Sequence, residues 1–145
     1  MAEYTEGPAL VKTVAKAFRS VYDNSDDLKE HLPGGLWFTL AKEDINRPYG
    51  VFTWDGSEID EICGGREDRL ETVRITVSLY AFGDDGGEQV FDAADAFMAA
   101  YDWATLVYNG FQHIRCQRVA TINQGLLDNI WQVDIEYELE FAGRD

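Results

Sequence analysis

The side chains most suited to catalysis are sparse in this sequence and poorly grouped. His31 and His113 lie far apart, and neither has a second ligand at the spacing that metal sites use. Cys116 follows His113 by three residues, and in a strand that offset places two side chains on opposite faces. No metalloprotease, nucleophile-elbow, Cys-x-x-Cys or phosphate-loop pattern occurs. We therefore expect no catalytic residues and a protein that is not an enzyme.

The two cysteines lie in different settings. Cys63 precedes two glycines in an acidic stretch, whereas Cys116 belongs to a predicted strand. A disulfide would need their Cα atoms to lie within about 7 Å of each other, and nothing in the sequence indicates that. We expect two unpaired thiols, as is typical of a cytosolic protein.

Two groups of carboxylates raise the question of Ca²⁺ binding. Neither has the alternating Asp spacing, followed by a distant Glu, that calcium loops use. Solvated acidic loops explain both groups, so we expect no metal ion and no cofactor. The groups are Asp23, Asp26 and Asp27, and Asp55, Glu58, Asp60 and Glu61.

The most informative charges alternate with apolar residues near the end of the chain. In NIWQVDIEYELEFA (129–142), apolar residues occupy every second position from Trp131 to Phe141. Successive side chains of a strand point to opposite faces, so this pattern predicts a strand with one apolar and one acidic face. We call four carboxylates on the second face the acidic ridge: Asp134, Glu136, Glu138 and Glu140.

Like charges two residues apart on one strand face repel, so the acidic ridge needs a neutraliser or a use. One interpretation is cross-strand pairing with Arg74, Arg115 or Arg118, together with solvation. The other is that the ridge faces an aqueous lumen or a basic partner. The two interpretations are compatible, and the sequence leaves both open.

Composition bounds the class of protein. The chain has 145 residues, of which 46% are hydrophobic and 13% aromatic, which favours a folded domain over disorder. Twelve basic against 27 acidic residues give a net charge of −15, which disfavours binding to nucleic acid or anionic membranes. The start MAEYTEGP has neither a charged nor an apolar signal region, and no apolar run reaches about 18 residues. We expect no signal peptide and no membrane span.

Hydrophobic periodicity predicts two amphipathic helices, one from Pro8 to about Tyr22 and one from Glu88 to Trp103. Ser25 is positioned to cap a short helical turn before Pro33. The predicted strands are Leu36–Ala41 and Tyr49–Trp54 (as a hairpin), Leu70–Phe82, Phe111–Ala120 and Asn129–Ala142, with a turn region at residues 123–129.

These elements predict one α+β domain over residues 1–145, with two helices on one face of a mainly antiparallel sheet of about five strands. Between the second and third strands, residues 55–69 read as a long charged loop. Loops of this length usually have a function, so we expect this one to contact a neighbouring subunit or partner. Its candidate residues are Glu58, Asp60, Glu61, Arg66, Glu67, Asp68 and Arg69.

Three local patterns accompany this order of elements. Pro48-Tyr49 opens the strand in RPYGVFTW, LETVRITVSLYAFG runs directly into the helix EQVFDAADAFMAAYDW, and NIWQVDIEYELEF closes the chain. Together, from Pro8 to Phe141, they resemble the tail-completion proteins of tailed bacteriophages and prophages, the family that includes the tail terminator of phage lambda.

The resemblance implies a structural virion protein that forms a homohexameric ring at the head-proximal end of the tail tube. Such a ring ends tube polymerisation and docks the tail to the head connector. The implied partners are further copies of this chain, the major tail tube protein and the head–tail connector protein. DNA would pass through the lumen without specific binding, and the protein would reside in the tail or neck of the virion, and in the host cytoplasm during assembly.

Two alternatives remain open from the sequence. The first is a head–tail connector or other minor neck protein of the virion, which would share the fold but have a different neighbour. The second belongs to a different class, a cellular α+β domain that binds a small ligand.

Overall fold

Helices form where the sequence has an apolar stripe at helical spacing. The structure, a computed structural model, describes residues 10–39, 48–61, 69–83, 87–108 and 111–142. Its helices are α1 (Leu10–Asp23), α2 (Asp26–His31) and α3 (Glu88–Tyr101). The predicted cap of α2 is confirmed, because the Ser25 hydroxyl accepts a hydrogen bond from the Leu28 amide at 3.2 Å. None of the described helices is long and apolar enough to cross a membrane.

The strands form a single six-stranded sheet in the order β1-β2-β3-β6-β5-β4. Every neighbouring pair is antiparallel except β1 and β2. The predicted α+β class is confirmed. The prediction of about five strands omitted β4, which is too short to leave a periodic signal. The strands are β1 (Leu36–Phe38), β2 (Tyr49–Glu61), β3 (Arg69–Phe82), β4 (Thr105–Tyr108), β5 (Phe111–Leu127) and β6 (Ile130–Ala142).

The core lies between the helices and one face of the sheet, which we call the inner face. Phe18 of α1 is its centre: the Phe18 ring lies 5.0 Å from Phe52 of β2 and 4.6 Å from Tyr101 of α3, between ring centroids. Such tilted aromatic contacts add to the stabilisation from burial. Most of the apolar positions predicted for the two alternating strands are buried, while Trp131 is half-buried and the side chain of Phe141 lies outside the described residues. The buried ones are Val73, Ile75, Val77 and Leu79 of β3, and Val133, Ile135, Tyr137 and Leu139 of β6.

The hydroxyl of Tyr101 links α3 to the backbone of α1. It donates to the Phe18 carbonyl oxygen at 2.5 Å and accepts from the Tyr22 amide at 3.1 Å. Phe18 and Tyr22 are four residues apart, so the hydroxyl bridges a carbonyl and an amide at the i to i−4 spacing of an α-helix. Burial raises the pKa of this hydroxyl well above its usual value, so it remains a donor at physiological pH.

The predicted hairpin of β1 and β2 is wrong, because the two strands run parallel, with Leu36 opposite Gly50. Hydrogen bonds hold the starts of both strands side by side: the Gly34 amide donates to Pro48 and the Gly50 amide donates to Gly35. In a hairpin, the start of one strand would instead face the end of the other.

The prediction of a loop over residues 55–69 is also wrong at both ends. Strand β2 continues to Glu61 and β3 begins at Arg69, and the two residues are paired. A bulge between Trp54 and Gly56 explains the error, because an extra residue reverses the side-chain parity and ends the alternation seen in sequence. Gly56 has φ +144°, a conformation that side chains rarely adopt.

Strand β5 is longer than predicted for the same reason. It continues past Ala120 to Leu127, with register shifts between Arg118 and Ala120 and between Asn123 and Gly125. The turn into β6 contains only Asp128 and Asn129, at φ 52° and 63°. Both central residues of a tight hairpin turn require positive φ, and Asp and Asn tolerate it.

We predict that Tyr101→Phe lowers the free energy of unfolding by about 1–3 kcal/mol, because it leaves a buried amide and carbonyl without their shared partner. Denaturant unfolding would measure the loss, with Tyr80→Phe on the opposite side of the sheet as the matched control. A loss no greater than that of the control would mean that α1 closes the Phe18–Tyr22 bond by itself.

Candidate functional site: the acidic face of the sheet

The acidic ridge lies on the face of the sheet opposite the helices, which we call the outer face. Because the inner-face residues of β6 are buried from Val133 to Leu139, the residues between them must point outward. Asp134, Glu136 and Glu138 are half-buried there, and Glu140 is exposed. The pleat therefore arranges the four carboxylates in a row along the centre of the sheet.

Asp134 is held in place by two neutral donors. The side-chain amide of Gln124 donates to Oδ2 at 2.8 Å, and that of Gln132 donates to Oδ1 at 2.9 Å. These hydrogen bonds orient the carboxylate and leave its negative charge in place.

Among the described residues, one arginine forms an ion pair with the ridge. Arg74 of β3 lies opposite Glu138, with 3.5 Å between Nε and Oε1. Both side chains are more than a third exposed, so the pair contributes on the order of 1 kcal/mol or less. Arg118 instead pairs with Asp102 at 3.3 Å, beside the Tyr137 hydroxyl that donates to the same carboxylate.

Among the described residues, Glu136 and Glu140 have no ion-pair partner. Arg115 is opposite Glu140 in the register of β5 and β6, yet no ion pair forms between them. Within the described ranges of the chain, Glu136 has no hydrogen-bond or ion-pair partner either. Of the three predicted cross-strand neutralisers, only Arg74 pairs with the ridge.

A fifth carboxylate, Asp55, lies near the ridge and was not recognised as part of it from the sequence. The bulge of β2 places Asp55 where it accepts hydrogen bonds from Thr53, at 3.1 Å, and from Thr76 of β3. The position of Asp55 depends on how β2 pairs with β3, so it could be found only once the register of these two strands was known. Asp55 and Glu136 are among the residues that line an open concavity of about 310 Å³ on the outer face.

The concavity does not have the chemistry of a metal site. Arg74 lines it together with Asp55, Glu136 and Glu138, so a guanidinium stands among the three carboxylates. Among the described residues, no group of three His, Cys, Asp or Glu side chains is arranged to hold a metal ion.

The one described cysteine is a core residue. Cys116 is free and fully buried, and burial raises the pKa of its thiol, with the Asp102 carboxylate adding to the effect. A protonated, inaccessible thiol is a poor nucleophile. Cys63 lies outside the described residues. The ring nitrogen Nδ1 of His31 lies 2.9 Å from the Asp27 carbonyl oxygen, on the exposed side of α2.

The predicted partner loop is a strand hairpin where the structure describes it. Glu58, Asp60 and Glu61 belong to β2, and Arg69 begins β3. Glu58 is paired with Thr72, and Thr72 is paired with Glu140 on its other side. The hairpin and the end of the ridge therefore lie at the same position along the strand direction. The remaining candidates, Arg66, Glu67 and Asp68, lie outside the described residues.

Comparison with known proteins identifies the fold. The sequence matches no protein-family model and no curated protein. A chain described as part of the "virion of native gene transfer agent (GTA) particle" has a similar structure, with a TM-score of 0.68 and 13% sequence identity. That match covers 90% of this chain and 98% of that one. A second solved structure, whose name states no function, matches with a TM-score of 0.58 and 14% identity over 88% and 94% of the two chains.

We predict different effects for two neighbouring carboxylates of the ridge. Glu136→Gln should raise the free energy of unfolding by a few tenths of a kcal/mol at low salt, because it removes repulsion within the ridge. Glu138→Gln should give no gain, because it also removes the contact with Arg74. Denaturant unfolding at low and high salt would measure both, and the difference should shrink as salt screens it. Equal effects of the two substitutions would refute the conclusion that Arg74 compensates Glu138 and that Glu136 lacks such a partner.

Proposed function

We propose that this chain is a structural virion protein of the tail-completion kind. It forms a ring at the head-proximal end of a phage tail tube, where it ends tube polymerisation and docks the tail to the head connector. The observation that carries this proposal is the fold shared with a chain of a gene transfer agent virion over 98% of that chain's length. The order of elements in the sequence supports the same class of protein.

The proposed partners are other copies of this chain in a homohexameric ring, the major tail tube protein and the head–tail connector protein. The protein is proposed to reside in the tail or neck of the virion, and in the host cytoplasm during assembly. Its role there is structural and needs neither a catalytic residue nor a cofactor.

The acidic ridge is proposed to face the lumen of the ring. Glu136 and Glu140 lack compensating partners among the described residues, and the whole chain has a net charge of −15. A wall of carboxylates repels the phosphate backbone, so DNA can pass without being bound.

Localisation in particles tests the proposal. Cryo-electron microscopy of particles from the producing host should find one ring of this chain between the tail tube and the connector. Loss of the gene should give tails that are unjoined to heads and irregular in length. A position elsewhere in the neck, or binding of the purified chain to connector but not to tail tubes, would favour the connector alternative. Absence from particles would refute a virion role.

Charge reversal tests the role of the ridge. We predict that Glu136→Lys with Glu140→Lys leaves particle assembly intact and lowers DNA delivery several-fold, because lysines at the lumen would bind passing phosphates. The matched control is Glu88→Lys with Asp92→Lys on the exposed side of α3, which changes the net charge equally. Equal delivery by the two variants, measured per assembled particle, would contradict a lumenal ridge.

A further inference from the structure

The sheet has two incomplete edges. On one side, β1 pairs with β2 only along Gly50–Phe52, and β2 continues to Glu61. On the other, β4 pairs with β5 only as far as Arg115, and β5 continues to Leu127. In the part of the chain that the structure describes, no strand pairs with the outer side of residues 53–61 or 117–127.

Both open segments contain a bulge and charged residues, which protect an edge in part, but two other protecting residues are missing. Proline and lysine discourage pairing with other chains, and both are missing from TWDGSEIDE (53–61) and QRVATINQGLL (117–127). Large apolar side chains are instead exposed along the two edges. They are Phe38 on β1, and Val119, Ile122, Leu126 and Leu127 on β5, with exposed fractions from 39% to 76%. An edge that lacks proline and lysine and exposes apolar groups can be a template for another strand.

The two edges differ in charge. Strand β2 contains four acidic residues and no basic ones, while β4 and β5 contain no acidic residue. Two β2 edges would repel each other, whereas a β2 edge meets no carboxylate on the strands of the β4–β5 edge. Since 27 of the 145 residues are acidic, a strand of 17 residues without any is a marked departure from the rest of the chain.

Each edge of the sheet has one short strand that covers part of its longer neighbour. Strand β1 covers one end of β2, and β4 covers the part of β5 at the other end of the sheet, so the two edges have complementary shapes. Phe38 of β1 is paired with Phe52, Phe52 with Val77, and Val77 with Ile135. Ile135 is paired with Thr121, in the open segment of β5. Phe38 and Thr121 therefore stand at the same height, on opposite edges. If a second copy lay beside the first, β1 of the second copy would lie against the open part of β5 of the first. The open part of β2 of the second copy would then lie against β4 of the first.

We propose that copies of this chain associate head to tail by joining these edges, with β1 of one copy pairing antiparallel to the open segment of β5 in the next. The direction follows from the sheet, because β1 and β2 run together and β5 runs opposite to them. The contact uses two different surfaces of each copy, which is the heterologous arrangement that closes rings. This inference deepens the proposed function and rests on it for the size of the assembly.

Cysteine cross-linking tests the contact. Phe38→Cys and Thr121→Cys would be placed in separate chains that also carry Cys63→Ser, while the buried Cys116 is retained. Both positions are exposed, and directly opposed residues of an antiparallel pair lie at about 4.5–5.5 Å between Cα atoms, within reach of a disulfide or a short bis-maleimide. We expect the mixture of the two chains to give cross-linked dimers, and a chain carrying both cysteines to give a ladder of higher oligomers.

The single variants supply the contrary outcomes. Dimers from Phe38→Cys alone or from Thr121→Cys alone would mean that like edges meet, which overturns the proposal. So would a mixture that cross-links no more than the mixture of Phe38→Cys with Asp95→Cys, an exposed position on α3, at any concentration from micromolar to millimolar. Circular dichroism would confirm that each variant is folded.

The cross-linking experiment tests the edge contact separately from the proposed role in the virion. Cross-linking without incorporation into particles would leave the edge contact standing and remove the role. Incorporation into particles without cross-linking, tested in the same variants within purified particles, would remove the edge contact and leave the role.

Discussion

The pairing of β3 with β6 is the constraint on which the rest of the fold depends. The two strands are opposed without a register shift from Leu70 and Ala142 to Phe82 and Ile130. Each alternates apolar with polar residues, so their shared inner face must be covered and their shared outer face must stay polar. A slip of one residue would expose the apolar row of one strand and bury carboxylates, so the register is strongly specified. The helices and the shorter strands pack around this pair.

That register also fixes where the negative charge lies. Carboxylates two residues apart on a strand stand about 7 Å apart, which is within the Debye length at physiological salt. The protein relieves the repulsion in part, through Arg74 at Glu138 and through amide donors at Asp134. No described residue relieves it at Glu136 or Glu140. Substituting neutral residues at these two positions would leave the apolar face unchanged, so folding alone does not explain the carboxylates.

Sequence analysis predicted correctly those elements whose own residues follow a regular hydrophobic pattern. Strict alternation identified β3 and β6, and helical spacing identified α1 and α3. Prediction failed wherever the pattern depends on a neighbouring strand. The bulges at Asp55 and Val119 reverse the parity of β2 and β5, so the continuing strands look like charged or polar loops. The position of Asp55 beside the ridge, and the pairing of Arg118 with Asp102 in place of the ridge, likewise follow from register and packing between distant segments.

The bulges that concealed these strands also bear on the shape of the sheet. A bulge bends its strand and increases its twist, and sheets that close on themselves use bulges for that purpose. Here β2 and β5, the strands with bulges, are also the strands whose outer sides are only partly paired. Within one copy, the described sheet does not close, because β1 and β4 are too short to complete its edges. An open sheet with bulges along its partly paired strands is what the proposed edge-to-edge association of copies requires.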